Sequence, residues 1–181
     1  MTKDDDFVPF RKIPRLSREI VITEKIDGTN AQIKITEDGE MIVGSRNKVI
    51  TPKDDNYGFA NWCEENKEEL MKLGVGTHYG EWWGQGIGRG YGLKTKKFSL
   101  FNVSRWGNPE ERPSCCDVVP ILYRGTFTTE AVTGCMIRLK TSGSYATSYE
   151  DPEGIVIYHT QGNLYFKKTL KNDEKSKGEL Q

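Results

Sequence analysis

Two apolar segments that flank a charged, glycine-containing turn constrain the fold of this chain more than any other feature. The turn, 24–31, separates the apolar run 20–22 from the alternating run 31–35. These patterns predict strands on both sides of the turn. Lys25 therefore stands at a strand end, and Gly28 would let the backbone pass close to a bound phosphate. Lys-x-Asp-Gly is a short pattern, and by itself it fits a solvated hairpin turn as well as a nucleophile site.

The rest of the chain alternates between strand-like and helix-like patterns. The predicted elements are a meander over 20–49, a helix over 59–73, a strand leading into a glycine-rich loop over 77–92, a strand over 98–103, a short strand over 121–123, a helix over 128–140 and a hairpin over 153–168. Asp54, Asp55 or Asn56 would cap the first helix, and Gly74 would end it.

Length and charge exclude several classes of protein. The 181 residues carry 26 basic and 26 acidic side chains, so the net charge is +0, and any contact with nucleic acid must come from a local basic surface. The length predicts one domain over 1–181, with an extended lead-in at 1–19 and a charged tail at 171–181. With no long apolar run and no export signal, we expect a cytoplasmic protein with reduced cysteines and no membrane contact.

Six short motifs occur in a specific order along the chain. They are Lys-x-Asp-Gly at 25–28, a basic loop at 44–48, Gly-Glu-Trp at 80–82, a Phe-rich segment at 98–103, Glu-Gly-Ile-Val at 153–156 and Phe-Lys-Lys at 166–168. Each motif is weak alone, but their order resembles that of ATP-dependent RNA ligases of the RNA ligase 2 type. These enzymes belong to the covalent nucleotidyltransferase superfamily, which also contains DNA ligases and mRNA capping enzymes. The resemblance implies an α+β fold in which antiparallel sheets surround an ATP cleft and helices pack outside.

The resemblance also implies a lysine nucleophile. Lys25 would attack the α-phosphate of ATP and carry AMP, AMP would pass to an RNA 5′-phosphate, and a 3′-hydroxyl would then displace it. A lysine amine with the usual pKa of about 10.4 is almost entirely protonated at neutral pH, so a nucleophilic amine needs nearby cations. Lys167 or Lys168 matches the position that contacts the α-phosphate, and with Mg²⁺ or Mn²⁺ it would supply this charge. Neighbouring strand residues point to opposite faces, and we favour Lys167.

The same motifs imply the other site residues. Glu153 matches a metal-associated glutamate, Glu81 the residue that holds the ribose hydroxyls, and Phe101 an aromatic ring that stacks on adenine. The backbone around Glu24 would face the base edge. The full nucleotide-binding set is Glu24, Lys25, Ile26, Asn30, Arg46, Glu81, Phe101, Glu153 and Lys167. The expected RNA-binding set is Arg46, Lys48, Lys94, Lys96 and Lys97.

The sequence departs from the family pattern in three ways. Asn102 stands where the family commonly has Asp, and the last motif has adjacent lysines instead of lysines one residue apart. The chain also ends soon after that motif, which leaves no room for a C-terminal OB or helical domain. We therefore expect a monomeric adenylyltransferase domain that grips RNA weakly, or that relies on a partner protein for this grip.

The expected substrate is RNA with 5′-phosphate and 3′-hydroxyl ends, in duplexed or nicked form. One alternative is a DNA ligase or a capping-type guanylyltransferase, which the Gly-Glu-Trp-Trp-Gly segment and the lack of an OB domain disfavour. The other is an RNA- or nucleotide-binding module that has lost catalysis, with Asn102 as a sign of that loss. The presence of Lys25, Glu81, Glu153 and Lys167 argues against the module.

Overall fold

The computed structural model describes residues 6–175, and within this range it contains nine strands and four α-helices. The strands are β1 Glu19–Lys25, β2 Thr29–Ile35, β3 Met41–Ser45, β4 Gly76–Gly84, β5 Lys96–Leu100, β6 Asp117–Val118, β7 Ile121–Thr126, β8 Gly154–His159 and β9 Leu164–Thr169. The helices are α1 Phe59–Glu65, α2 Lys67–Leu70, α3 Val103–Trp106 and α4 Thr129–Ser142, with 3₁₀ segments at Met71–Leu73 and Gly90–Gly92. Residues 6–18 of the predicted lead-in contain no helix or strand, while positions 1–5 and 176–181 lie outside the described residues.

The strands form two sheets. The first sheet has the order β7-β1-β8-β9, and its neighbouring strands are all antiparallel. The second sheet has the order β3-β2-β4-β5-β6, and it is antiparallel except for the short parallel pair of β5 and β6. The α+β class with mainly antiparallel sheets, which the sequence predicted, is therefore confirmed. Among the described residues, no helix is long and apolar enough to cross a membrane.

Both sheets bury their outer faces under helices. Ile20, Ile22 and Ile155 of the first sheet belong to a buried cluster with Leu139 of α4. The second sheet packs against α1, where the ring of Phe59 lies 5.3 Å from that of Trp82 and 5.0 Å from that of Phe98. These clusters explain why apolar residues recur along the strands and along α1 and α4, since one face of each element is removed from water.

The inner faces of the sheets meet in a third buried cluster. It contains Val21 of β1 and Trp83 of β4, together with Ile26, Tyr91 and other apolar residues. Strand β1 is therefore buried on both faces, which accounts for its unbroken apolar run. Beside this cluster, the two inner faces leave a cleft, and residues of both sheets line it.

The predicted meander is wrong at its first turn. Strand β1 pairs with β7 and β8, whereas β2 pairs with β3 and β4, so the chain changes sheets between Lys25 and Thr29. At Gly28 the chain passes so close to β4 that a Cβ atom would lie 2.4 Å from the carbonyl oxygen of Trp82. The close approach at Gly28 brings the turn against the second sheet. The alternation of apolar residues identifies a strand but does not identify the strand with which it pairs.

Two other predicted elements have different ends. The helix predicted over 59–73 is broken at Asn66, where φ is −110°, although Gly74 does follow its last turn. The Asp55 carboxylate accepts hydrogen bonds from the backbone N–H groups of Ala60 and Asn61 at 2.7 and 3.0 Å. Strand β5 ends at Leu100 instead of continuing to 103, because the Asn102 side chain accepts a hydrogen bond from Arg105 N and caps α3. The helix predicted over 128–140 and the hairpin over 153–168 are confirmed by α4 and by β8 with β9.

Candidate active site

Lys25 and Glu153 meet at the ends of two neighbouring strands. Lys25 is the last residue of β1 and lies opposite Gly154, the first residue of β8. Glu153 immediately precedes β8, and its Oε1 lies 3.0 Å from Nζ of Lys25. The Lys25 side chain is 20% exposed and the Glu153 side chain 8%. The pair thus combines an amine that solvent can reach with a carboxylate that is almost buried.

A hydrogen-bonded chain connects the Lys25 turn to the predicted basic loop. Glu81 of β4 lies opposite Asn30 of β2 and is largely buried. Its two oxygens accept hydrogen bonds from Gly28 N at 3.1 Å and from Asn30 Nδ2 at 3.3 Å. Arg46 Nη2 in turn donates to Asn30 Oδ1 at 3.5 Å. Four of the positions singled out from the sequence are therefore part of one polar network.

Phe101 stands between two pockets of the cleft. The first is lined by Val21, Thr23, Phe101, Asn102, Val103, Ser104, Val156, Tyr158 and Tyr165. The second is lined by Asn30, Ala31, Gln32, Ser45, Arg46, Tyr79 and Phe101. The ring that was expected to stack on adenine thus borders both an apolar wall from the first sheet and the polar network of the second.

The strand register distinguishes Lys167 from Lys168. Lys167 lies opposite Val156, which lines the cleft, whereas Lys168 lies opposite Ile155, which is buried against α4. Residues directly opposite each other in an antiparallel pair share a face. Lys167 therefore lies on the cleft face, and Lys168 lies on the other face, where its Nζ is 3.5 Å from Asp173 Oδ2.

The side chains of Glu24 and Ile26 are buried in the protein. Ile26 is buried between the sheets. The Glu24 carboxylate is also buried, and its Oε2 accepts hydrogen bonds from the backbone N–H groups of Tyr145 and Ala146 at 2.9 and 3.2 Å. Burial raises the pKa of Glu24 above its ordinary value, although these hydrogen bonds oppose the shift. The other oxygen, Oε1, is buried without a hydrogen-bond partner among the residues that the structure describes.

We expect Glu24→Gln to stabilise the protein in a pH-dependent way. Folding raises the pKa of this carboxyl group, so the folded state binds the proton more tightly than the unfolded state. The free energy of unfolding therefore falls as the pH rises above the ordinary pKa of 4.5. Glutamine does not ionise, so the variant should gain stability relative to wild type between about pH 4 and about pH 7. Urea unfolding at both pH values measures this difference. An equal difference at the two values would contradict it.

The five predicted RNA-binding residues lie in two groups along the second sheet. Arg46 and Lys48 follow β3, whereas Lys94, Lys96 and Lys97 lie just before β5 and at its start, and strands β2 and β4 separate these two groups. Two of the lysines also have acidic partners. Lys48 Nζ is 3.0 Å from Asp54 Oδ2, and Lys97 Nζ is 3.7 Å from Asp117 Oδ2. The basic surface is thus divided into two groups, and two of its lysines form ion pairs.

Arg89, which the sequence analysis did not select, contacts the Lys25 turn. Its backbone N and its Nη1 donate to Asp27 Oδ2 at 3.1 and 3.0 Å. Its Nε also lies 3.7 Å from Asp151 Oδ2. Two sequence features pointed toward this contact: Arg89 is the one arginine in the glycine-rich segment 84–92, and Asp27 is charged. Neither feature predicts that the two residues meet, because a glycine-rich loop has no periodicity.

A complete metal-binding cage is not formed by the protein alone. Within residues 6–175 there is no group of three or more His, Cys, Asp or Glu side chains that could hold a metal ion. Mg²⁺ is usually held by one or two carboxylates together with substrate phosphates and water. Glu153, beside the Lys25 amine, is a carboxylate of the type that such a site needs.

Solved structures of an RNA ligase have the same fold. A variant of Naegleria gruberi RNA ligase with ATP and Mn aligns with a TM-score of 0.61 at 21% identity, over 84% of this chain and 50% of that chain. A variant with AMP and Mn aligns with a TM-score of 0.62 at 21% identity, over 84% and 49% of the two chains. The Naegleria gruberi enzyme with PPi aligns with a TM-score of 0.57 at 22% identity, over 84% and 50%.

The two facing sheets of this chain thus have the fold of the solved RNA ligase structures. A sequence profile of the RNA ligase family matches residues 18–172. The chain belongs to the RNA ligase family, and the resemblance inferred from the six motifs is confirmed. The chain spans about half the length of the solved structures that it matches. No curated protein matches it.

Proposed function

We propose that this chain is an ATP-dependent RNA ligase that joins 5′-phosphate and 3′-hydroxyl RNA ends through a lysyl-AMP intermediate. The observation that carries the proposal is the 3.0 Å pairing of Lys25 with buried Glu153 beside the cleft of an RNA ligase fold. A partly exposed amine at a strand end is free to reach a phosphate, while the strand backbone limits where the amine can lie.

In the first step, Nζ of Lys25 attacks the α-phosphorus of ATP. A P–N bond forms, the bond from this phosphorus to the bridging oxygen of the pyrophosphate breaks, and the amine loses a proton to the solvent. In the second step, a 5′-phosphate oxygen of RNA displaces Lys25 from AMP. In the third step, the 3′-hydroxyl of the other end attacks that 5′-phosphate, forms the phosphodiester and releases AMP.

Lys25 must release its contact with Glu153 and present a free electron pair before the first step, because an ammonium group cannot attack phosphorus. Lys167, on the cleft face of β9, would place positive charge toward the α-phosphate. A divalent ion, Mg²⁺ or Mn²⁺, held by Glu153 and the ATP phosphates, would supply more and would neutralise charge on the α-phosphate.

The remaining site residues suit the other parts of the nucleotide. Phe101, with Val21 and Val156 across the first pocket, provides apolar surface for the adenine base. Glu81 would hold the ribose hydroxyls, since its carboxylate is a hydrogen-bond acceptor that lies at the turn after Lys25. Arg46 and Asn30 lie beside this position and would contact the RNA end. Asn102 caps α3, so its presence is explained without a loss of catalysis.

The proposed RNA substrate is a duplexed or nicked strand with the two end groups named above. We propose that the chain acts as one adenylyltransferase domain and as a monomer. The divided basic surface supports weak intrinsic binding of RNA, and a partner protein would then supply additional phosphate contacts.

The decisive experiment is incubation of the protein with α-labelled ATP or GTP and Mg²⁺, followed by denaturing electrophoresis. We expect a covalent label from ATP and none from GTP. A label from GTP would favour a guanylyltransferase, and the absence of both labels would favour a nucleotide- or RNA-binding module. Comparison of nicked RNA with nicked DNA as the sealing substrate then separates an RNA ligase from a DNA ligase.

Strand sealing should be more sensitive to salt than self-adenylylation. Labelling of Lys25 needs only ATP and metal in the cleft, whereas sealing also needs RNA held by Arg46 and the four lysines. Five phosphate contacts would lose roughly 10² to 10³ in affinity between about 50 and about 200 mM salt. Both rates should be measured over this range at saturating ATP and at an RNA concentration below saturation. A parallel decline of the two rates would contradict the expectation.

A further inference from the structure

We propose that Arg89 is a positioning residue for Lys25, which it holds against Glu153 through Asp27 and Asp151. This inference rests on the proposed function, because it concerns the residue proposed as the nucleophile. Arg89 lies in the glycine-rich loop that follows β4, and its side chain contacts Asp27 and Asp151. It acts through the two segments that carry the reacting pair.

The first contact fixes the turn that follows Lys25. Asp27 lies two residues after Lys25, and its Oδ2 accepts hydrogen bonds from both the backbone N and the side-chain Nη1 of Arg89. On the other side, Asp27 N donates to the hydroxyl of Tyr91 at 2.7 Å. The loop therefore holds Asp27 by its side chain and by its backbone, which limits the directions that the end of β1 can take.

The second contact is an ion pair with the segment that leads to Glu153. Nε of Arg89 lies 3.7 Å from Oδ2 of Asp151, two residues before Glu153, a distance too long for a hydrogen bond. Lys171 also pairs with Asp151, at 3.1 Å, but it is exposed, whereas Arg89 is only 26% exposed. One guanidinium thus connects the segment after Lys25 with the segment before Glu153. Its planar group with several donors suits a bridge between two carboxylates.

The backbone of the loop is shaped for this contact. Gly88 has φ +52°, and a Cβ atom there would lie 2.6 Å from Oδ2 of Asp27. Tyr91 has φ +54°, a left-handed conformation that is unusual for a tyrosine, and its ring packs against those of Trp83 and Tyr149. Strained residues of this kind persist when surrounding contacts determine them. Here those contacts bring the Tyr91 hydroxyl and the Arg89 amide to the same aspartate.

The test compares Arg89→Gln, Arg89→Lys and wild type in the ATP-labelling assay. A shift of about 1 Å in a reacting group costs about 10²-fold in rate, so we expect Arg89→Gln to lower the labelling rate at saturating ATP by 10-fold or more. The KM for ATP should change little, because Arg89 is not placed against the nucleotide. Arg89→Lys should restore part of the rate, since it keeps the charge. Arg105→Gln, at an exposed arginine that pairs with Glu111, is the matched control and should label normally.

A second measurement does not depend on activity. Amide hydrogen exchange in the peptide that spans 24–30 should become faster in Arg89→Gln and remain unchanged in Arg105→Gln. Failure of the wild-type chain to label would overturn the proposed function, and the exchange result would then decide whether Arg89 holds the turn. A wild-type labelling rate in Arg89→Gln, or unchanged exchange in this peptide, would overturn the inference on Arg89.

Discussion

Replacement of Lys25 by arginine or alanine is expected to abolish covalent labelling of the chain by AMP. Lys25 is the residue proposed to form the P–N bond, and a guanidinium is not deprotonated in proteins and so cannot replace the amine. Labelling with α-labelled ATP and Mg²⁺ should fall to background in both variants. A label of normal intensity in either one would show that another residue is the nucleophile.

The two Lys25 variants separate chemistry from stability. In Lys25→Ala, Glu153 loses its 3.0 Å partner while its side chain remains 8% exposed, so the free energy of unfolding should fall. Lys25→Arg keeps a positive charge for Glu153, so its free energy of unfolding should stay closer to that of wild type. A folded Lys25→Arg protein without label therefore assigns the loss to the missing amine and not to unfolding.

Replacement of Glu153 or Lys167 by alanine is expected to slow self-adenylylation by about 10² or more, the usual effect of losing a positioned electrostatic group. Glu153 pairs with Lys25 and is proposed to hold the metal ion, and Lys167 lies on the cleft face beside Val156. The rate should be measured at saturating ATP over a range of Mg²⁺ concentrations. Removal of the metal with a chelator should stop labelling of the wild type as well.

Lys168→Ala is the matched control for Lys167→Ala. The two lysines are adjacent, both are exposed, and both removals change the net charge equally. Lys168 differs in lying opposite Ile155 on the α4 face and in pairing with Asp173. Its replacement should leave the labelling rate within a few-fold of wild type. A larger loss in Lys168→Ala than in Lys167→Ala would show that the proposed role belongs to the other face of β9.

Much of the fold could be predicted from local patterns. Period-two alternation located β2 and the hairpin of β8 and β9, and the threonine cap located α4, where Thr128 accepts a hydrogen bond from Ala131 N. Such signals are local because backbone geometry and capping involve residues a few positions apart. The break at Asn66 and the early end of β5 were not predicted, since the same residue types also fit a continuing helix or strand.

The candidate site was predictable only in part. The motif order identified Lys25, Glu81, Phe101 and Glu153 as candidates, but their assignment to nucleotide and metal remains a prediction. The sequence did not show that the predicted RNA-binding residues lie in two groups, because the order of β3, β2, β4 and β5 in the sheet is not a local property. Arg89 had no recognisable pattern, because the loop that carries it takes its shape from contacts with Asp27 and with neighbouring rings.

The sequence by itself determined most of the strand segments, that Lys25 ends one of them, and that the motifs occur in the order of an RNA ligase. It also determined that Lys167 and Lys168 point to opposite faces, since alternation is a property of any strand. Only the tertiary structure decided which face borders the cleft, that β1 and β2 belong to different sheets, and that Lys25 lies 3.0 Å from Glu153. Strand pairing depends on which buried faces pack together across the whole chain, and a local pattern contains no information about that partner.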